Sequence, residues 1–405
     1  MPAQAAAAPG DLTRSVAAPI RRTRLDALDV VRGLVMVIMA LDHVRDYFHA
    51  DALLYDPTDL TRTTPVLFFT RWITHLCAPA FVLLAGMGGY LYGARGRNRA
   101  EVARFLLTRG LWLVVVELTL VRFALFFNLD YSMVFLQVIW AIGWSMVVLA
   151  GLVFVPPRLV LAFAVVMIAG HNLLDGLGPP PFSSIHQGPA SLSTGDWIWS
   201  VLHVANPPVI YPLIPWIGVM ALGYALGPIT RLEPSRRRGI FLRLGLGLTA
   251  AFIVLRAING YGDPVLWETQ RSAMYTVLSF LNTSKYPPSL LYLLMTLGPT
   301  FVLLGLLDRP PGSLARFFTV YGRVPFFYYI LHFYLIHLLA LAAAAMTGFH
   351  VRDFLTLALF FPKGYGFSLG VTYLVWLGVV LALYLPCGWF AEVKARRSEG
   401  WLSYL

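Results

Sequence analysis

Residues 28–48 read LDVVRGLVMVIMALDHVRDYF, an apolar stretch of membrane-spanning length with Arg32 near one end and Asp42-His43 near the other. Positions 32 and 43 are eleven apart, close to three helical turns, so both side chains leave one face about 16 Å apart along the axis. Asp29, Met36 and Tyr47 fall on that face too. An arginine and a histidine on one stripe need a partner other than lipid, because ionisable residues within spans face a bundle interior or a cavity.

The rest of the chain has the same character. Of 405 residues, 58% are hydrophobic and 13% charged, with mean hydropathy +0.70. Together with repeated apolar runs of span length, this identifies an all-α, polytopic membrane protein and excludes an ordinary soluble domain. About ten helices are expected, over 28–48, 66–94, 107–128, 132–155, 158–175, 208–229, 239–259, 288–307, 324–346 and 367–392. The breaks between them carry proline-rich turns such as GLGPPP at 176, NPP at 206 and YPPS at 286. A single transmembrane domain is expected over 24–395, between a disordered tail over 1–23 and a short tail over 396–405. The Ala- and Pro-rich start shows no signal-peptide pattern, so the first span is expected to direct its own insertion. No internal repeat is visible, and no pair of broken helices of the kind found in transporters. Cys77 and Cys387 lie in apolar runs and read as reduced core residues.

The net charge of +11 reads as a topology signal. With the N-terminus in the cytoplasm, alternate loops deliver Arg95, Arg97, Arg99 and Arg104 inside, then Arg231 and Arg236 to Arg238, then Arg309, Arg316 and Arg323. Lys394, Arg396 and Arg397 follow at the end. The other loops carry Asp51, Asp56, Asp59, Asp175 and Asp196. This asymmetry is the positive-inside pattern and places both termini in the cytoplasm. Basic residues spread loop by loop give no nucleic-acid surface.

In that orientation His43 lies toward the outer side. Arg71 and His75, four apart and on one helical face, enter the second span at the same depth. Arg122, Tyr211, Lys285 and Tyr286 fall at outer helix ends as well. Taken singly these are ordinary interfacial residues; together they indicate a polar cavity open to the outside, with His43 near its floor. Asp46, one turn beyond His43, is placed to orient its imidazole, whereas Asp42 points about 100° away. Arg32 has a plain alternative in pairing with Asp29 or reaching the headgroups. Glu117 reads as a structural partner for an arginine on a neighbouring helix. His332 and His337, five apart, read as interhelical hydrogen bonders, and His49 as a solvent histidine. No spacing of His, Cys or acids suits a metal.

The stretch LDVVRGLVMVIMALDH resembles the opening helix of the membrane acyltransferase (type 3) superfamily, with its histidine eleven residues after the arginine. YPLIPWIGVMALGYALG at 211, NTSKYPPSLLYLLMTLGP at 282 and GRVPFFYYILHFYLIH at 322 resemble its DUF1624 branch, related to the heparan-α-glucosaminide N-acetyltransferase catalytic domain. The resemblance runs from residue 24 to 395. It implies transfer of an acyl group, usually acetyl, from cytoplasmic acyl-CoA to a hydroxyl or amine of an extracytoplasmic glycan or glycolipid. It also implies functional roles for Arg32, toward the donor, and His43, as the catalytic histidine; His75, expected to line the same cavity, is the other candidate. The glucosaminide branch keeps its catalytic histidine in a His-Ala-Ser-Trp loop motif. This chain instead has FHADALLYD there, which moves the expectation to His43. Arginine outnumbers lysine 28 to three, which suits binding of CoA phosphates through the bidentate guanidinium fork. Tyr211, Lys285 or Arg71 is the expected oxyanion donor. The competing function is a transporter or flippase of a lipid-linked or small anionic substrate. The arginine- and alanine-rich composition points to a bacterial inner membrane, and the sequence is compatible with a homo-oligomer.

Overall fold

The computed structural model describes residues 26–52, 54–178, 193–397, 399 and 402. The tail expected over 1–23 lies outside these residues. Along the chain come α1 (Asp26–Phe48), α2 (Pro65–Thr74), α3 (Cys77–Gly93) and α4 (Arg99–Val116). A π turn (Glu117–Val121) carries α4 directly into α5 (Arg122–Phe126). Next are α6 (Val138–Leu152), α7 (Pro157–Gly170), α8 (Thr194–Leu202), α9 (Leu213–Leu226) and α10 (Pro234–Ile258). The chain continues with α11 (Ala273–Leu281), α12 (Leu290–Leu307), α13 (Ser313–Arg323), α14 (Pro325–Met346) and α15 (Leu369–Arg396). No strand occurs among the described residues; pairing is confined to isolated bridges.

Local chemistry sets the helix starts. Pro65, Pro157, Pro234 and Pro325 open their helices, where the missing N–H costs nothing. Side chains of Thr64, Asn98, Ser193, Ser272, Ser289 and Ser368 cap others by accepting from backbone N–H groups. Ser193, within the SLSTG stretch, is thus a helix cap.

Among the described residues, seven helical stretches are long and apolar enough to cross a membrane. Each of the ten expected spans is occupied by a helix, although α1 and α4–α5 carry more charge than the other long helices and α6 is shorter. The second expected span is two helices, α2 and α3, broken at His75-Leu76, and the third starts earlier than expected, at Arg99. The short helices α8, α11 and α13 were not expected.

Most of α1 is buried, and it packs against α2, α3, α12, α13, α14 and α15. Its charged stripe is therefore met by protein. The crossing with α13 is a backbone-to-backbone approach: a Cβ on Gly33 would stand 1.8 Å from the Phe318 carbonyl oxygen, and one on Gly322 1.8 Å from that of Asp29. Gly86 of α3 and Gly223 of α9 face each other's helix in the same way. Close approach through small residues is how helices associate where lipid supplies no hydrophobic drive.

Two consecutive stretches share an order of elements among the described residues. α7–α8–α9 and α10–α11–α12 are each a long helix, a nine-residue helix, a diproline turn and a second long helix. In each, an aspartate after the first helix ties down the segment before the last. Asp175 pairs with His203 at 3.1 Å, and Asp263 accepts from Ser289 Oγ at 2.6 Å and Ser284 N at 2.8 Å. Asn172 of the first unit accepts from Leu290 N at 2.9 Å and so joins the two.

Candidate functional site

Nδ1 of His43 on α1 lies 2.7 Å from Nε2 of His332 on α14. The other nitrogen of His332, Nδ1, lies 3.1 Å from the Tyr328 carbonyl one turn back. A carbonyl only accepts, so His332 Nδ1 carries a hydrogen and its Nε2, in the neutral ring, is an acceptor. His43 Nδ1 must then be the donor, which leaves the lone pair of His43 on Nε2. Phe333 stacks on the His43 ring at 4.1 Å and fixes its plane. His332 does bond between helices, as expected, and its partner is the histidine of the stripe. Asp46, expected to orient the imidazole, is held instead by Arg45 at 2.5 Å, and the bond to His43 Nδ1 is made by His332.

Around this pair the fold gathers most of the polar residues marked in the sequence. Arg71 donates to Asp42, and Arg45 pairs with the same carboxylate at 3.1 Å. His75 stands at the break between α2 and α3; its carbonyl accepts from the Tyr292 hydroxyl at 2.8 Å and its ring tilts against Tyr292. Its Nδ1 is buried without a partner among the described residues. Lys285 and Tyr286 come in from the loop before α12, and Tyr211 packs edge-on against Tyr286 at 5.4 Å. Lys285 is within electrostatic reach of Asp42, His43 and His75. Burial acts to raise the Tyr286 phenol, yet Lys285 and then Arg71 hold it below its ordinary value, so the local field is positive.

Arg122 is placed differently. It donates to the carbonyls of Met133 at 3.3 Å, Asn128 at 2.6 Å and Asp130, and so shapes the loop that follows α5. Glu117 pairs with no arginine among the described residues; it accepts from Gln137 N and Trp140 N, both at 3.2 Å, and caps α6 from across the bundle. His337 sits between the carbonyls of Ala124 and Phe354. His49 is partly buried, and a backbone bridge fixes it to Phe367. Cys77 and Cys387 are buried free thiols.

On the other side of the histidine pair opens a cavity of about 2030 Å³. Its mouth, at the α1 N-terminal end, is ringed by Arg95, Arg97, Arg109, Arg231, Arg309 and Arg323. Deeper, Arg32, Met36, Phe81, Leu113, Ile139 and Tyr329 line it. Arg32 donates to Asp29 at 3.1 Å and to the Gly322 carbonyl at 3.2 Å, so it pairs as its plain reading requires and still faces the cavity. Tyr329 packs 5.5 Å from His332, ring to ring, and its buried hydroxyl has no partner among the described residues. The cavity thus ends one turn of α14 below His332. Its volume is twice the roughly 1,000 Å³ upper range of pockets for drug-sized ligands, and its arginine mouth suits a large, multiply phosphorylated molecule. Tyr329 stands in the aromatic run FFYY, which carries no sign of its place at the end of the cavity.

Residues 24–255 match the family model described as heparan-alpha-glucosaminide N-acetyltransferase, catalytic. No curated protein matches the chain. The match takes in Arg32, His43, Arg71 and His75, and ends before Lys285 and His332.

Proposed function

The chain belongs to the heparan-alpha-glucosaminide N-acetyltransferase catalytic family, and on that premise we propose that it carries an acetyl group from acetyl-CoA to an amine or hydroxyl of a glycan or glycolipid on the opposite side of the membrane. The carrying observation is the His43–His332 bond, standing one helical turn beyond the end of an arginine-mouthed cavity. The arginine-rich loops favour ten passes with both termini in the cytoplasm of a bacterial inner membrane, so that the cavity opens to the CoA pool.

The CoA phosphates meet the arginines of the mouth, and the pantetheine arm follows the stripe past Arg32 and Met36. The thioester then lies near Tyr329 and His43. Nε2 of His43 takes the proton of the accepting amine or hydroxyl as that atom attacks the thioester carbonyl. The new C–N or C–O bond forms, the C–S bond breaks, and the proton on His43 passes to the departing thiolate. His332 accepts from His43 Nδ1 throughout and stabilises the transient imidazolium. Arg71, with Tyr286 beside it, is placed to donate to the oxyanion. His75 lacks an orienting partner, which favours His43 as the base.

One observation keeps the transporter reading in view: the break between α2 and α3 at the depth of the polar group. Acetyl-CoA binding and turnover by the purified protein in detergent decide between the two. Weaker binding in Arg32→Ala, and intact binding with no turnover in His43→Ala, support the acyltransferase. Absence of acetyl-CoA and longer acyl-CoA binding in the wild type overturns it.

A further inference from the structure

One face of α15 carries Leu374, Leu377, Leu381, Leu385 and Trp389, all exposed and spaced three or four residues apart. They form a single stripe along a helix long and apolar enough to cross a membrane, so lipid chains run beside it. At the lower end of that stripe a groove of about 410 Å³ opens between α13 and α15. Arg323, the last residue of α13, lines it together with Tyr384, Trp389 and Glu392 of α15. Aromatic rings next to charged side chains mark the level where lipid chains give way to headgroups. The groove is not imposed by close helix contact. A Cβ on Gly388, in its wall, would meet only Val320 Cγ1, at 4.0 Å, so the glycine leaves open a space that a side chain could fill.

The groove offers one charge of each sign. Arg323 is exposed and makes no ion pair among the described residues. The neighbouring Lys394 and Arg397 line the large cavity and not the groove. Glu392 pairs with Arg396 at 3.1 Å, but both side chains are exposed, and a pair of that kind holds weakly. Its carboxylate is therefore open to another cation. A headgroup with only a negative charge would gain from Arg323 and lose against Glu392. One that carries both a phosphate and an ammonium matches the two. The phosphate accepts from the guanidinium fork, and a primary ammonium donates to the carboxylate. A trimethylated ammonium has no hydrogen to donate.

We propose that the groove between α13 and α15 is a binding site for phosphatidylethanolamine. Its phosphate pairs with Arg323, its primary ammonium donates to Glu392, and one of its chains lies along Leu385 and Leu381. Arg323 also stands on the rim of the large cavity, so the seated lipid borders that mouth. The proposal rests on α15 crossing the membrane and is independent of acyl transfer.

The test measures binding of phosphatidylethanolamine, phosphatidylcholine and phosphatidylglycerol, all with the same chains, to the purified full chain by native mass spectrometry. Wild type is expected to bind phosphatidylethanolamine about fivefold more tightly than either of the others. In Glu392→Gln, an exposed substitution that leaves the fold alone, the preference should fall to within about twofold. Gly388→Leu projects a side chain into the groove and should abolish the preference, with an unfolding temperature in the absence of lipid no lower than that of wild type. Arg323 is kept in every variant, because it also borders the cavity mouth. Equal binding of the three lipids by wild type overturns the site. So does tightest binding of phosphatidylglycerol, or a preference for phosphatidylethanolamine that either variant retains.

Discussion

His43 and His332 meet at 2.7 Å, nitrogen to nitrogen, and the Tyr328 carbonyl behind His332 fixes the direction of that bond. The arrangement is the base-and-orienter pair of acyl-transfer sites with an imidazole in place of the carboxylate. Removing His43 is expected to lower acetyl transfer by about 10²–10⁴-fold. His332→Ala leaves the His43 ring without its acceptor and is expected to lower kcat by about 10²-fold, with KM for acetyl-CoA unchanged. His332→Gln, whose amide oxygen can accept at that place, should recover much of the loss. A merely structural His332 would show no such rescue, and steady-state kinetics on the three variants settles it.

The mouth of the cavity makes a separate prediction. Arg95 and Arg97 are exposed and lie at its rim. Their joint replacement by glutamine should raise KM for acetyl-CoA by about tenfold, or 1.4 kcal/mol, and leave kcat alone. Raising the salt should weaken binding to the wild type more than to the double variant, because exposed charges are screened over about 10 Å at 0.1 M. Titration of acetyl-CoA at two ionic strengths reads both effects. Equal salt slopes for the two proteins would place the phosphates elsewhere.

Gly33 and Gly322 let α1 lie against α13 with backbone touching backbone. In Gly33→Ala the new methyl meets the Phe318 carbonyl, which no side-chain rotation relieves. The expected loss is at or above the upper end of the about 1–3 kcal/mol usual for overpacking, read as a lower unfolding temperature in detergent. Acetyl-CoA binding should fall with it, since Arg32 donates to the Gly322 carbonyl at the same crossing. Gly247→Ala on α10, where a methyl meets nothing within 4 Å, is the control and should be neutral or stabilising by about 0.5–1 kcal/mol.

The helix content and the gathering of Arg71, His75, Tyr211, Lys285 and Tyr286 about His43 followed from two simple regularities: apolar run length, and polar residues at helix ends on one side. What resisted reading was pairing across the bundle. His332 and His337 look alike in sequence, and only packing shows that one meets a histidine and the other two carbonyls. Asp46 looked free because adjacent residues on a helix do not face each other, yet the long Arg45 side chain reaches it. Glu117 carries no local sign of the helix it caps, because Gln137 and Trp140 lie beyond a loop. What α7–α8–α9 and α10–α11–α12 have in common is an order of elements and not a run of residues.

Asp42 is the residue on which the charges around His43 converge, and its loss should show how much of the site is structural. Arg45 is buried and Arg71 partly buried, and both pair with it. Asp42→Asn keeps the shape and removes the charge, which leaves the buried Arg45 to Asp46 and strips the partly buried Arg71 of its ion-pair partner. The expected destabilisation is about 3–5 kcal/mol, the range for breaking a buried pair from one side. Asp42→Asn combined with Arg71→Gln removes the stranded cation as well and should be more stable than Asp42→Asn alone. Unfolding temperatures of the two single variants, the double and the wild type complete the cycle. Additive losses would mean that Asp42 and Arg71 act independently, and the ion pair would then contribute nothing to holding α2 against α1.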